Sequence, residues 1–190
     1  MIPIDEPNVC FQDAGMETAI DLEQPKYASF AGHKIENRVL LPATGYLQFA
    51  WQHLGFNVGK NVDEMPVLFT NVVLRRATII NQQAVTKIFS TVNTASGNFE
   101  FQNEGDIVVS GNIKRLPEGE SAPVEMPQIR QSMYLPLDKH DAYKEFKLRG
   151  YNYTGDFQGI EKIDNEGKTS STIFNATSDS DINSFHPNYF

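Results

Sequence analysis

One strongly apolar helix, predicted over residues 44–55, constrains the fold more than any other feature. Its apolar side chains recur with the spacing of a single helical face, at Leu47, Ala50, Trp51 and Leu54. Tyr46 and Phe49 widen this stripe until most of the helix surface is apolar. Thr44 is the expected N-cap and Gly55 the expected end. Such a helix must be covered on most of its sides, because exposed apolar faces are unfavourable in water.

The cover is predicted to be an antiparallel sheet. Four runs rich in Val, Ile, Thr and Phe follow the helix, at Val67–Ile80, Ala84–Asn93, Asn98–Gln102 and Ile107–Lys114. Short polar or glycine-containing turns separate them, and such turns join antiparallel neighbours. Another strand is predicted before the helix, over residues 27–35. The expected class is therefore α+β, with an antiparallel sheet wrapped around one central helix.

Composition narrows the function. The 190 residues include 24 acidic and 16 basic side chains, a net charge of −8, which argues against nucleic acid or an anionic membrane surface as partner. The chain has no apolar run long enough to span a bilayer, no signal-peptide pattern and a single cysteine, so we expect a cytoplasmic protein. It lacks metal-ligand spacings and phosphate-binding glycine loops, so we expect neither a metal nor a cofactor.

The later part of the chain has a different amino-acid composition. Residues 117–136 are rich in proline and glutamate, which is typical of a linker. Asp138 is then expected to cap a helix that ends at Gly150, and a strand is predicted over residues 151–163. The tail to Phe190 is polar. We therefore predict an ordered unit at 1–116, a linker at 117–136 and an incomplete second unit at 137–190.

Among four histidines, His33 is the candidate for chemistry, because it lies near the end of an apolar strand just before the buried helix. A histidine there is more often a hydrogen-bonded structural group than a catalytic one. The sequence around it nevertheless carries a recognisable pattern. Residues 32–47 are GHKIENRVLLPATGYL, later runs are SGNFEF (96–101) and VSGNI (109–113), and RGYNY (149–153) and FQGI (157–160) follow the linker.

These motifs, in this order, resemble the dehydratase region of animal-type fatty acid synthases and the related dehydratases of polyketide synthases. The family signature is HxxxGxxxxP followed by TGY, and here His33, Pro42 and Tyr46 hold matching places. The resemblance covers roughly residues 20–163. It implies a double hotdog, in which each half is an antiparallel sheet around one helix. This chain would supply the N-terminal hotdog and an incomplete start of the second.

The resemblance also implies an activity, the dehydration of 3-hydroxyacyl thioesters in fatty acid biosynthesis. His33 would be the base that removes the proton next to the thioester carbonyl, and an acid would protonate the leaving hydroxyl. The implied partners are an acyl carrier protein domain with its tethered chain, other synthase domains and a second copy in a homodimer. The implied substrate-binding residues are Asn37, Pro42, Gly45, Tyr46, Tyr153, Phe157 and Gln158.

The chain departs from the family pattern at three places. Asn37 replaces the signature glycine, and Thr154-Gly155-Asp156 replaces the usual Gly-Pro-x before Phe157. The family's acid, an aspartate in DxxxQ or DxxxH after the FQG motif, has no counterpart before Phe190. We therefore expect the isolated chain to be inactive. The alternative is a non-catalytic, dehydratase-like scaffold, or a module that binds acyl chains or dimerises.

Overall fold

A computed structural model describes residues 15–117, 136–164 and 170–172. Most of the predicted linker therefore lies outside the described residues. The strands are β1 (Met16–Ile20), β2 (Lys34–Ile35), β3 (Arg38–Val39), β4 (Val67–Leu74), β5 (Thr86–Val92), β6 (Asn98–Asn103), β7 (Asp106–Arg115), β8 (Pro136–Asp138), β9 (Ile160–Asp164) and β10 (Ser170–Thr172). The α-helices are α1 (Pro25–Ala28), α2 (Ala43–Val58) and α3 (Lys139–Leu148). Short 3₁₀ turns lie at Ser29–Gly32, Val62–Glu64 and Gly155–Phe157.

The main sheet covers helix α2, as the sequence predicted. Its five antiparallel strands run in the order β1-β5-β6-β7-β4. Side chains of β5 alternate between buried and exposed, so one face of the sheet lies against the helix. The shared core is almost entirely apolar, with Tyr46, Phe49, Ala50 and Leu54 of α2 packed among Ile88, Val92, Phe99, Phe101, Val109 and Ile113 of the sheet. This is the hotdog arrangement.

The predicted order of strands is partly wrong. Strands β5, β6 and β7 form the expected meander, but β4 ends at Leu74 and pairs with β7 rather than β5. Residues 78–80 leave the sheet and run beside the start of α2, where the Leu41 amide donates to the Thr78 carbonyl and the Ile80 amide to the Val39 carbonyl. Strand β1, for which no strand was predicted, fills the place beside β5.

The strand predicted over residues 27–35 is also wrong for most of its length. Pro25 stands in the first turn of α1, where its fixed φ suits a helix and its missing N–H costs nothing. Tyr27 and Phe30, three residues apart, stack with ring centroids 5.9 Å apart, and both meet Phe49 edge-on. Burial of these rings therefore favours a helical turn over the extended chain that their β-propensity suggested.

Helix α2 is longer than predicted, and its ends differ. Pro42, not Thr44, occupies the N-cap position, and Gly59 ends the helix in the left-handed conformation with φ of 64°. Gly55 lies inside the helix instead of ending it. A Cβ there would lie 2.8 Å from the Lys60 carbonyl oxygen, so this glycine permits close approach of the following loop.

The second segment, residues 136–164 and 170–172, contains α3 and a small sheet ordered β10-β9-β8. Asp138 caps α3 as predicted, since its carboxylate accepts the Asp141 amide at 2.9 Å. The strand predicted over 151–163 is interrupted by a 3₁₀ turn at Gly155–Phe157. Its end forms β9, and its start pairs with residues 32–36 instead of joining the small sheet. Within the described ranges, every helix is too short or too polar to cross a membrane.

Candidate active site

His33 is held from several sides by backbone hydrogen bonds. Its amide donates to the Phe30 carbonyl at 2.9 Å, and its carbonyl accepts the Leu40 amide at 3.0 Å. Its ring nitrogen Nδ1 lies 2.9 Å from the Leu40 carbonyl oxygen. Because a carbonyl can only accept, Nδ1 carries the proton in this contact. The neutral ring then has its lone pair on Nε2, the form that a general base requires.

The surroundings of His33 favour that neutral form. Burial lowers the pKa of His33 below the ordinary value of 6.5, and the hydrogen bond to the Leu40 carbonyl opposes this only in part. Desolvation has this sign because it disfavours the charged imidazolium. At neutral pH the ring is therefore uncharged and able to take up a proton.

The second segment docks beside His33 as an added strand. Residues 150–154 run antiparallel to residues 32–36 in one continuous register. The Thr154 amide donates to the Gly32 carbonyl at 3.0 Å, the Asn152 amide to the Lys34 carbonyl at 2.7 Å, and the Glu36 amide to the Gly150 carbonyl at 2.7 Å. This register sets Tyr153 directly opposite His33.

Two aromatic rings consequently flank the imidazole. Tyr153 stacks on His33 with centroids 5.2 Å apart and an interplanar angle of 21°. Phe157 lies 5.0 Å from the His33 ring at 49°. We call Tyr153 and Phe157 the aromatic wall. The structure thus brings His33, Tyr153 and Phe157 into contact, although the motifs that contain them lie more than a hundred positions apart in the sequence.

Gly32 makes this approach possible, although the sequence analysis assigned it no role. A Cβ at this position would lie 2.3 Å from the Thr154 carbonyl oxygen and 3.2 Å from the Phe157 ring. Only glycine fits between the two segments without displacement. A glycine directly before the candidate histidine was the available signal.

Asn37 keeps the turn that the signature glycine would make. Its φ is 63°, in the left-handed region that asparagine tolerates better than most residues. The side chain is exposed at the turn between β2 and β3, and the backbone amide of Asn37 donates to the Asn152 side-chain oxygen at 3.4 Å. The substitution is therefore compatible with the local backbone, and substrate contact by Asn37 stays a prediction.

Pro42, Gly45 and Tyr46 lie at the start of α2, all buried. The Gly45 amide already donates to the Pro42 carbonyl at 3.0 Å. Tyr46 lies in the core, where its hydroxyl donates to the Thr78 side chain at 2.6 Å. Burial raises the pKa of Tyr46. These contacts tie the helix to residues 78–80, and binding of substrate by the three residues stays a prediction.

Gln158 closes the loop that carries the aromatic wall. Its side-chain amide donates to the Tyr153 carbonyl at 2.7 Å, and its backbone amide donates to the Gly155 carbonyl at 3.0 Å. In the described part of the chain, no three His, Cys, Asp or Glu side chains converge as a metal site would require. What the arrangement offers is a neutral, oriented imidazole beside aromatic surface.

No protein-family model matches the chain. Two curated relatives are the highly reducing polyketide synthase verA of Penicillium polonicum, 27% identical over 153 residues, and the hybrid PKS-NRPS synthetase ucsA of an Acremonium species, 25% identical over 167 residues. Each match covers 70% of this chain but only 6% and 4% of those synthases. The chain thus corresponds to a small part of each relative.

Solved structures that superpose on this chain include dehydratase domains of polyketide synthases. The dehydratase domain from the CurF module of the curacin synthase superposes with a TM-score of 0.63 at 18% identity, over 85% of this chain and 59% of that one. The dehydratase domain of PpsC from Mycobacterium tuberculosis, in complex with C12:1-CoA, gives 0.61 at 17%, over 86% and 57%. The CurK dehydratase gives 0.59 at 23%, over 84% and 56%. The hotdog fold expected from the sequence is confirmed.

Proposed function

We propose that this chain is part of a dehydratase that converts 3-hydroxyacyl thioesters to 2-enoyl thioesters during acyl-chain biosynthesis, with His33 as the base. The observation that carries the proposal is the state of the imidazole. Nδ1 donates to the Leu40 carbonyl, burial lowers the pKa, and Nε2 is left as the basic nitrogen.

The chemistry explains why such a base is required. Nε2 takes the proton from the carbon next to the thioester carbonyl, and the electron pair left behind forms the new carbon–carbon double bond. The hydroxyl leaves from the adjacent carbon, and with one added proton it departs as water. Because the α proton is weakly acidic, an oriented general base contributes about 10²–10⁴-fold to the rate. Neutral His33 supplies this half of the reaction.

The solved neighbours support the same assignment. Two of the CurK dehydratase structures are inactive mutants, one with a histidine replaced by phenylalanine and one with an aspartate replaced by asparagine. A histidine and an aspartate thus both matter in that domain. In this chain we assign the histidine role to His33. The aspartate role has no DxxxQ or DxxxH counterpart up to Phe190.

The finer assignments belong to the proposal. We place residues 1–116 in the N-terminal hotdog, 117–136 in a linker and 137–190 at the start of the C-terminal hotdog. The substrate would be tethered to an acyl carrier protein domain, and a homodimer is proposed as well. The matched relatives are named as polyketide synthases, so a polyketide synthase is a better supported setting than the fatty acid synthase expected from the motifs.

The testing experiment follows hydration of a short trans-2-enoyl thioester, the reverse reaction, by the purified 190-residue chain. Circular dichroism first establishes that each variant is folded. We compare the wild type with His33→Ala and, as a matched control, with His140→Ala, which removes an exposed histidine from α3. Turnover that falls about 10²-fold or more in His33→Ala alone supports the proposal. Equal turnover in His33→Ala and wild type contradicts it.

A folded wild type without turnover would mean either a dehydratase part that lacks its partner acid or the second candidate, a non-catalytic module that binds acyl chains or dimerises. The sequence feature behind this alternative is the absence of the DxxxQ or DxxxH pattern up to Phe190. Binding of the same thioester without hydration, measured by isothermal titration calorimetry, would identify that case.

A further inference from the structure

We propose that Tyr143 is a positioning residue whose hydroxyl holds the aromatic wall against His33. The proposal deepens the function assigned above and rests on it. Tyr143 lies on helix α3 and belongs to none of the motifs that carry the resemblance. The sequence predicted only that it would be part of a helix.

The hydroxyl of Tyr143 makes two hydrogen bonds to the same short segment. It donates to the Phe157 carbonyl at 3.2 Å and accepts the Ile160 amide at 3.0 Å. These two partners flank Gln158 and Gly159, so the hydroxyl closes the turn between the 3₁₀ turn and β9. Both functions of a hydroxyl, one donor and one acceptor, are used on backbone groups of this turn.

This turn carries the ring that contacts His33. Phe157 is half-buried, packs against the core of the hotdog and lies 5.0 Å from the imidazole. Gln158 ties the same turn to the Tyr153 carbonyl. Tyr143 therefore fixes one end of the aromatic wall and Gln158 fixes the other. Since packing around the imidazole excludes water, the position of the wall determines how strongly His33 is desolvated.

Helix α3 is suited to be the fixed support. Its N-terminus is capped by Asp138, and Ala142, the residue before Tyr143, is almost fully buried. The Tyr143 ring also packs edge-on against Phe146, with centroids 5.6 Å apart. Tyr143 is thus held by its neighbours independently of His33, as a positioning group must be.

The test measures the pKa of His33 by NMR titration of histidine ring signals in the full chain, with His33→Ala used to assign the signal. In Tyr143→Phe we expect the pKa to rise toward 6.5, because a loosened wall admits water and reduces the desolvation of the ring. The matched control is Tyr151→Phe, which removes a hydroxyl from the same aromatic cluster, one that makes no hydrogen bond within the described residues. The control should leave the pKa unchanged.

The ionisable groups around His33 stay constant in this comparison. They are Lys34, Glu36 and Arg38 on its own hairpin, Tyr153 opposite, and Asp156 beside Phe157. A shift in Tyr143→Phe therefore reports packing and not a lost charge. An unchanged pKa in a folded Tyr143→Phe protein would overturn the proposal.

A second variant decides the matter if Tyr143→Phe does not fold. Phe157→Leu removes the ring that contacts His33, so the pKa of His33 should also rise in this variant. An unchanged pKa in Phe157→Leu overturns the proposal whatever Tyr143→Phe does. The titration needs no substrate, so it can fail while the hydration assay still supports catalysis by His33. Conversely, a chain without turnover can still show the predicted shift.

Discussion

The first hotdog and the second segment are built on different principles, although they meet at one histidine. In the hotdog, one long helix is covered by five strands, and the core is a continuous set of buried apolar side chains. In the second segment, one short helix packs beside a three-stranded sheet, and Ala142 and Asp164 are its fully buried residues among those described. The hotdog therefore provides the apolar core that holds His33 in place, and the second segment provides the aromatic wall beside it.

The largest predicted loss of stability comes from a substitution in the core of the hotdog. Phe101 is fully buried and lies edge-on to Tyr46 with centroids 5.2 Å apart. Phe101→Ala should lower the free energy of unfolding by about 3–5 kcal/mol, because it removes a large buried ring and leaves a cavity. Phe146→Ala, at a half-buried ring of the second segment, should cost only about 1–2 kcal/mol. Urea unfolding followed by circular dichroism measures both. Equal losses would remove the distinction between the two regions.

The next effect is expected at the junction. Gly32→Ala places a methyl group against the Thr154 carbonyl and should cost about 1–3 kcal/mol, because close packing there leaves no space. The control is Gly55→Ala, which meets the Lys60 carbonyl inside the hotdog. Both variants should be destabilised in urea, but only Gly32→Ala should raise the pKa of His33 in an NMR titration. A raised pKa in both would mean that general loosening, not docking of the second segment, sets the histidine environment.

A smaller effect is expected from the buried hydrogen bond of Tyr46. Tyr46→Phe removes the hydroxyl that donates to Thr78 and should cost about 1–2 kcal/mol, since the Thr78 hydroxyl is left buried without this partner. In the double variant with Thr78→Val, the loss should be smaller than the sum of the two single losses. Strict additivity in a double-mutant cycle would show that the bond does not stabilise the fold.

These predictions also mark what the sequence could reveal. Helix α2 and strands β5 to β7 were predictable, because their apolar periodicities and turns are local signals. The conformations of residues 25–33 and 155–157 were not predictable, because they depend on partners far away in the chain. Tyr27 and Phe30 lie in helical turns because both rings pack against Phe49. Residues 150–154 are extended because their backbone forms hydrogen bonds with residues 32–36.

The candidate site likewise combines residues that the sequence predicts with contacts that only the structure shows. The motifs predicted His33, Tyr153 and Phe157 separately, and the structure brings them together in one stack. No local pattern revealed the Leu40 carbonyl that fixes the tautomer, the space that Gly32 leaves, or the hydroxyl of Tyr143. Each of these contacts depends on register between distant segments, which the spacing of residues does not encode.

The smallest predicted effect concerns pH. The pKa of His33 is lower in the folded protein than in the unfolded chain, so the unfolded chain binds more protons as the pH falls. The contribution of His33 to stability is therefore complete above pH 6.5 and is lost as the pH falls through the lowered pKa. Unfolding free energies at pH 7.5 and pH 5 should differ less in His33→Gln than in wild type, and His140→Gln should behave as wild type. An identical pH dependence in all three proteins would contradict burial of the His33 ring.

The most direct test of the central claim isolates the step assigned to His33. Exchange of the α protons of a saturated acyl thioester with deuterium oxide, followed by mass spectrometry, requires a base but no leaving group and no proton donor. The wild-type chain should catalyse exchange, and His33→Ala should lose it while remaining folded by circular dichroism. Exchange at equal rates in the two proteins would contradict the assignment of His33 as the base.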